Sequence, residues 1–211
     1  MSIVCPAILS DSKQAYEAQL KRFVQFANHL HVDISDGVFS PHQTIGVEDI
    51  WWPAGTSVDV HVMYKNPTAI VDGLISLKPR LVIVHAEADG DFISLAKNLH
   101  AHGIKAGLAL LPDTPVEYLR PGVGLIDHIM IFSGDLGSYG GNVHLDLLSK
   151  VQDINALDSS IEIGWDGGVT DKNIRALADG GIEVIVSGGF VANAEKPRIA
   201  YGLLKQRIRQ A

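Results

Sequence analysis

The stretch Leu30-His31-Val32-Asp33-Ile34-Ser35-Asp36-Gly37 sets a histidine and an aspartate two positions apart within an apolar run. Side chains alternate faces along a strand, so His31, Asp33 and Ser35 point one way and Val32 and Ile34 the other. A charge taken out of water must be paired, hydrogen-bonded or bound to a metal. Alone, the His–Asp pair could be a structural hydrogen bond. A second histidine, His61, closes the run Val58-Asp59-Val60-His61-Val62-Met63, on the same face as Asp59 and Met63. A third run, Ile161–Trp165, leads into Asp166 and then Gly167-Gly168. Two imidazoles and two carboxylates make a mixed nitrogen and oxygen donor set. Such a set suits Zn²⁺, Fe²⁺, Mn²⁺ or Co²⁺, and the donor types do not choose among them.

Glycine pairs supply a second kind of chemistry. Gly140-Gly141, Gly167-Gly168 and Gly188-Gly189 each follow an apolar run. Glycine lets backbone N–H groups approach a ligand closely, and pairs after the last strands of a barrel are a common phosphate cradle. With 17 Lys plus Arg against 24 Asp plus Glu, the formal charge is −7, and no basic run offers a nucleic-acid surface. A bound phosphate must therefore rest on local backbone amides.

These residues need elements to hold them. Short Val- and Ile-rich runs predict strands at Ile3–Leu9, Leu30–Ile34, Val58–Met63, Leu81–His85, Ala106–Leu110, His128–Phe132, Ile161–Trp165 and Glu183–Val186. Their near-continuous hydrophobicity suits parallel strands buried on both faces. Amphipathic stretches predict helices over Ser12–Ala27, Asp91–His102, Val143–Ile154, Asp171–Ala178 and Ala194–Ile208. Eight strands and intervening helices in 211 residues predict a single (β/α)₈ barrel domain spanning residues 1–211, with an open doubly wound sheet as the competing architecture. In a barrel His31 and Asp33 must point inward, and the carboxyl strand ends are where chemistry belongs. The lone cysteine, Cys5, sits in an apolar run and reads as a small core residue. No basic-then-apolar leader and no run near the ~20 residues of a membrane span are present, which predicts a cytoplasmic protein with no membrane partner.

The motifs, in order, resemble those of ribulose-phosphate 3-epimerases across nearly the whole chain. They are His31-Val32-Asp33-x-x-Asp36-Gly37-x-Phe39-x-Pro41, Asp59-Val60-His61-Val62-Met63 and Val84-His85-Ala86-Glu87-Ala88. Two more are Gly107-Leu108-Ala109-Leu110 with Pro112, Thr114 and Pro115, and Asp166-Gly167-Gly168-Val169. The resemblance implies an isomerase of pentose phosphate metabolism that inverts C3 of a phosphorylated ketose, interconverting D-ribulose 5-phosphate and D-xylulose 5-phosphate. It makes His31, Asp33, His61 and Asp166 the ligands of one divalent metal per chain, zinc first, with iron, manganese or cobalt as alternatives. Asp33 and Asp166 are then also the acid/base pair. The glycine pairs hold the phosphate, Met63 belongs to an apolar cap over the reacting carbons, and self-association into a homo-oligomer is expected.

Three positions depart from the family pattern: Ala7 stands where serine is usual, and Ser35 and Phe132 where methionines are usual. The phosphate loop also differs, reading Leu136-Gly137-Ser138-Tyr139-Gly140-Gly141. These departures leave open a ketohexose-phosphate 3-epimerase of the allulose 6-phosphate type, or a catalytically weak phosphosugar-binding barrel. His85 reads as a core or supporting histidine, Trp51, Trp52 and Trp165 as packing residues, and Asp135 as either a substrate contact or a turn acid.

Overall fold

The computed structural model describes residues 2–209. The eight apolar runs form eight parallel strands: β1 (Ile3–Leu9), β2 (His29–Ser35), β3 (Ser57–Met63), β4 (Leu81–His85), β5 (Lys105–Leu110), β6 (His128–Phe132), β7 (Glu162–Asp166) and β8 (Val184–Ser187). Each pairs with the next, and β8 returns to β1 with Ile3 opposite Val184 and Cys5 opposite Val186, closing the barrel. An open sheet is thereby excluded.

Helices α1 (Lys13–Phe23), α2 (Val71–Leu77), α3 (Phe92–Ala101), α4 (Lys150–Leu157), α5 (Ile174–Asp179), α6 (Gly189–Ala192) and α7 (Pro197–Arg209) surround it. Ser12 caps α1 through the Ala15 amide and Asp91 caps α3 through the Ile93 amide, satisfying otherwise orphaned N–H groups. The predicted helix Val143–Ile154 is instead a 3₁₀ turn, Leu145–Ser149, that runs into α4. Four segments were not predicted: the 3₁₀ turn Pro67–Ile70, α2, α6, and the 3₁₀ stretch Val116–Leu125 interrupted by Pro121, which cannot donate to a regular helical ladder. The crossover from β2 to β3 has no helix at all, only a loop pinned by an Asp36–Gln43 bridge. Among the described residues, no helix is long and apolar enough to cross a membrane.

Strand alternation divides the core in two. Val32, Ile34, Val60, Val62, Val82 and Val84 point outward and pack with Leu20, Phe23, Leu74, Leu95 and Leu99 of the helices. The inward residues Leu81, Ile83, Ala109, Met130 and Phe132 form one interior cluster, and Cys5, Ala7, Val184 and Val186 another. Full burial of each large aliphatic side chain contributes about 1.5–3 kcal/mol.

The amino-terminal end of the barrel is polar. Arg80 grips Asp59 through Nε at 2.6 Å and Nη2 at 2.7 Å, and reaches Glu162 at 3.0–3.1 Å. His29 meets Asp59 at 2.8 Å and His128 meets Glu162 at 2.8 Å. Asp59 shares its face with His61 but lies one layer below it, with both oxygens committed to this floor. Cys5, His29 and Asp59 also bring donor atoms together, but both Asp59 oxygens are already paired with Arg80 and His29.

Candidate active site and metal centre

At the opposite, carboxyl-terminal end, β2, β3 and β7 converge on four polar side chains. The register places Asp33 beside His61. His61 Nδ1 lies 2.9 Å from Asp33 Oδ1 and 4.0 Å from Asp166 Oδ2, and His31 Nε2 lies 3.3 Å from Asp33 Oδ1. His31, Asp33, His61 and Asp166 each offer one donor atom within 4.8 Å of the others, a grouping that could hold a metal ion. His31 is fully buried, yet neither of its ring nitrogens has a hydrogen-bond partner. Buried polar atoms are rarely left so, because the loss of water goes uncompensated. A cation shared by the four side chains would take up that lone pair, so the residues present fit a divalent ion.

The electrostatics are strongly coupled. Burial pushes the Asp33 carboxyl up, but the charges of His31 and His61 and the His61 hydrogen bond outweigh it and hold Asp33 well below the usual carboxylate range. For Asp166, burial and then the charge of Asp33 outweigh the His31 charge and a backbone hydrogen bond and push it up to about 7. His61 falls to about 4, chiefly through burial, despite its hydrogen bond to Asp33. For His31, burial works downward, but the neighbouring Asp33 raises it on balance. The two carboxylates thus have environments that pull them apart, as in sites that assign one acid and one base.

Asp33 and Asp166 open into a cavity of ≈ 250 Å³ lined also by Ala7, Phe132 and all three glycine pairs, Gly140-Gly141, Gly167-Gly168 and Gly188-Gly189. Gly140, Gly141, Gly167 and Gly168 all have positive φ, a region that glycine alone enters freely. The Gly168 amide donates to the Gly140 carbonyl at 3.2 Å, stitching the sixth and seventh strand loops together. A Cβ on Gly167 would run into the Gly134 backbone, and one on Gly188 would meet the Tyr139 ring at 2.7 Å.

The remaining expected cap residues divide. Phe132 packs its ring against His61 and His85, with centroids 6.0 and 5.7 Å apart. Ser35 and Met63 are neighbours in register and buried, and neither lines the cavity. Ser35 instead joins a polar web, its Oγ 2.9 Å from Ser40 Oγ and its amide donating to Thr44 Oγ1 at 2.8 Å. Asp135 lines the cavity, and Trp165 is wholly buried in packing. Sequence reasoning missed Tyr139. Its hydroxyl accepts from the Leu9 amide at 2.7 Å and donates to Gln19 Oε1 at 2.7 Å, tying the loop after β6 to β1 and α1. The only hint was an aromatic residue set directly before the Gly140-Gly141 pair.

A closed parallel barrel with an acid pair, two histidines and a glycine-lined cavity at the carboxyl strand ends has the architecture of the barrel enzymes. Residues 3–192 match the model of the ribulose-phosphate 3 epimerase family. The chain belongs to that family, and is an enzyme of the isomerase class.

A ribulose-phosphate 3-epimerase of Helicobacter pylori is 32% identical over 222 residues, covering 99% of this chain and 98% of the relative. One from Mycobacterium bovis is 30% identical, covering 97% and 92%, and a cytoplasmic isoform from rice is 27% identical, covering 97% and 93%. Among solved structures, 3-hexulose-6-phosphate synthase from Salmonella typhimurium superposes with a TM-score of 0.74 at 13% identity, over 100% of this chain and 99% of that one. That likeness speaks for the barrel fold alone.

Proposed function

We propose that this protein inverts C3 of a phosphorylated ketopentose, interconverting D-ribulose 5-phosphate and D-xylulose 5-phosphate with one divalent metal per chain, zinc first. The observation that carries this reading is the grouping of two buried histidines with Asp33 and Asp166, the two carboxylates that open into one glycine-lined cavity. The C3 proton lies next to a ketone, so its removal gives a planar enediolate. One carboxylate takes the proton from one face and the other returns a proton from the opposite face. Two acids are needed because one side chain cannot reach both faces. General acid–base help of this kind is typically worth ~10²–10⁴-fold. A metal held by His31, Asp33, His61 and Asp166 would supply Lewis-acid stabilisation of the developing negative charge.

The glycine loops supply backbone amides for the phosphate, whose binding energy orients the sugar against the two acids. Ala7 and Phe132, both lining the cavity in place of the family's usual residues, favour a second reading in which a ketohexose phosphate is the preferred substrate.

The test is to incubate the zinc-loaded protein with D-ribulose 5-phosphate in D₂O and follow the C3 proton by NMR. Loss of that proton together with formation of D-xylulose 5-phosphate is expected, and both disappear in Asp33→Asn and Asp166→Asn. An inert ribulose 5-phosphate beside an exchanging allulose 6-phosphate transfers the assignment to hexuloses. Inertness toward both, with the metal bound, removes the epimerase reading.

A further inference from the structure

The carboxyl ends of β4 and β5 hold a chain of groups that the acid/base chemistry does not use. His61 shows its two ring nitrogens to different surroundings. Nδ1 faces Asp33 and Asp166, whereas Nε2 meets His85 Nε2 at 2.9 Å. His85 Nδ1 lies 3.4 Å from Glu87 Oε2, and neither atom has a hydrogen-bond partner as the side chains stand. The other Glu87 oxygen, Oε1, accepts from the Leu111 amide at 3.0 Å and from the Thr114 hydroxyl. Both histidines are buried, and the Phe39 and Phe132 rings flank His85 at centroid distances of 4.7 and 5.7 Å.

Asp33, 2.9 Å from His61 Nδ1, and Glu87 stand at opposite ends of this chain and each calls for a proton, so a cation at the four-residue cluster gives the chain its direction by taking Asp33 out of the count. A neutral imidazole has one N–H and one lone pair, and an ionised carboxylate only accepts. Glu87 therefore calls for the His85 proton on Nδ1. His85 Nε2 is then an acceptor and needs a proton on His61 Nε2. That leaves the His61 Nδ1 lone pair facing the carboxylate cluster. The reverse order sets a lone pair of His85 against Glu87 and puts a proton on His61 Nδ1, where it blocks ligation. Histidines that bind metals generally donate their other N–H to a carboxylate or carbonyl. Here the carboxylate stands one imidazole further out.

We propose that His85 and Glu87 are positioning residues that hold His61 in the Nε2–H tautomer and so present its Nδ1 to the metal. This rests on the metal-binding reading of the four-residue cluster. Glu87→Gln tests it because the Leu111 amide still demands the side-chain oxygen. The new NH₂ must then face His85 and donate to Nδ1, reversing the relay.

Zinc affinity, measured by competition with a chromophoric chelator, is expected to fall by ~10–100-fold in Glu87→Gln, the usual effect of losing an outer partner. Nitrogen NMR of the zinc-loaded wild type is expected to show protons on His61 Nε2 and His85 Nδ1, a readout that needs no variant and no turnover. Unchanged zinc affinity in the variant, or a proton on His85 Nε2 in the zinc-loaded wild type, overturns the relay while leaving the metal site standing. A wild-type protein that takes up no zinc overturns both.

Discussion

His31 is the residue whose state most depends on what shares the site with it. It is fully buried with two unpartnered ring nitrogens, and its nearest charge is Asp33. His31→Ala is expected to weaken zinc binding by more than the roughly 10–100-fold that follows loss of an outer partner. Chelator competition checks this, and zinc affinity equal to wild type would remove His31 from the ligand set. Tyr139 makes a second residue-scale prediction. Tyr139→Phe deletes the acceptor for the Leu9 amide, and leaving a buried donor unsatisfied costs about 1–3 kcal/mol. Urea unfolding reads that loss directly. The donor types at positions 31, 33, 61 and 166 were legible in the sequence because each lies within or directly after an apolar run. Tyr139 was not, because its partners Leu9 and Gln19 lie 130 and 120 positions away.

The strands were the most legible of the elements. β4 and β6 occur at the predicted bounds, since a strand covered on both faces must be apolar throughout. The 3₁₀ segments carried no such signature, and the helix-free crossover from β2 to β3 depends on loop contacts that no periodicity encodes. The loops after β6 and β7 are the most constrained of the connections. Gly167→Ala combines positive φ with a backbone collision at Gly134, which no rotamer change can relieve. The variant is expected to lose phosphate anchoring, raising KM for the phosphosugar more than it lowers kcat. Steady-state kinetics with a phosphorylated and a non-phosphorylated ketose separate this from general damage, since only the former should suffer strongly.

The whole barrel is closed at its amino-terminal end by the Arg80 network, and here stability becomes pH-dependent. Burial raises the Glu162 carboxyl, but hydrogen bonds and charge from His128 and Arg80 bring it down to about 2. A carboxylate depressed on folding stabilises the native state above its unfolded pKa, ~4.3 for glutamate, and loses that contribution as pH falls toward the folded value. Glu162→Gln is therefore expected to be less stable than wild type at pH 6, with the gap narrowing between pH 4 and pH 2. Chemical unfolding across that range measures it, and a gap independent of pH would show that the charge contributes nothing. Asp59 adds to the same acid sensitivity, since His29 and Arg80 overcome its burial and hold it well below the usual range.

What the sequence determined by itself is a matter of local rules: alternation put His31, Asp33 and Ser35 on one face, apolar runs marked eight strands, and glycine pairs marked the loops that follow three of them. Tertiary structure alone decided which of those marks meet. Closure through the β1–β8 pairing brings Asp166 of the seventh strand to His61 of the third, and register alone sets Asp33 beside His61 while sending Asp59 to the floor. It also turned Ser35 into the Ser40 web and aligned His61, His85 and Glu87 into one chain. The contacts between strands join residues far apart in sequence, so they follow from the geometry of the closed sheet and leave no trace in any short window of the chain.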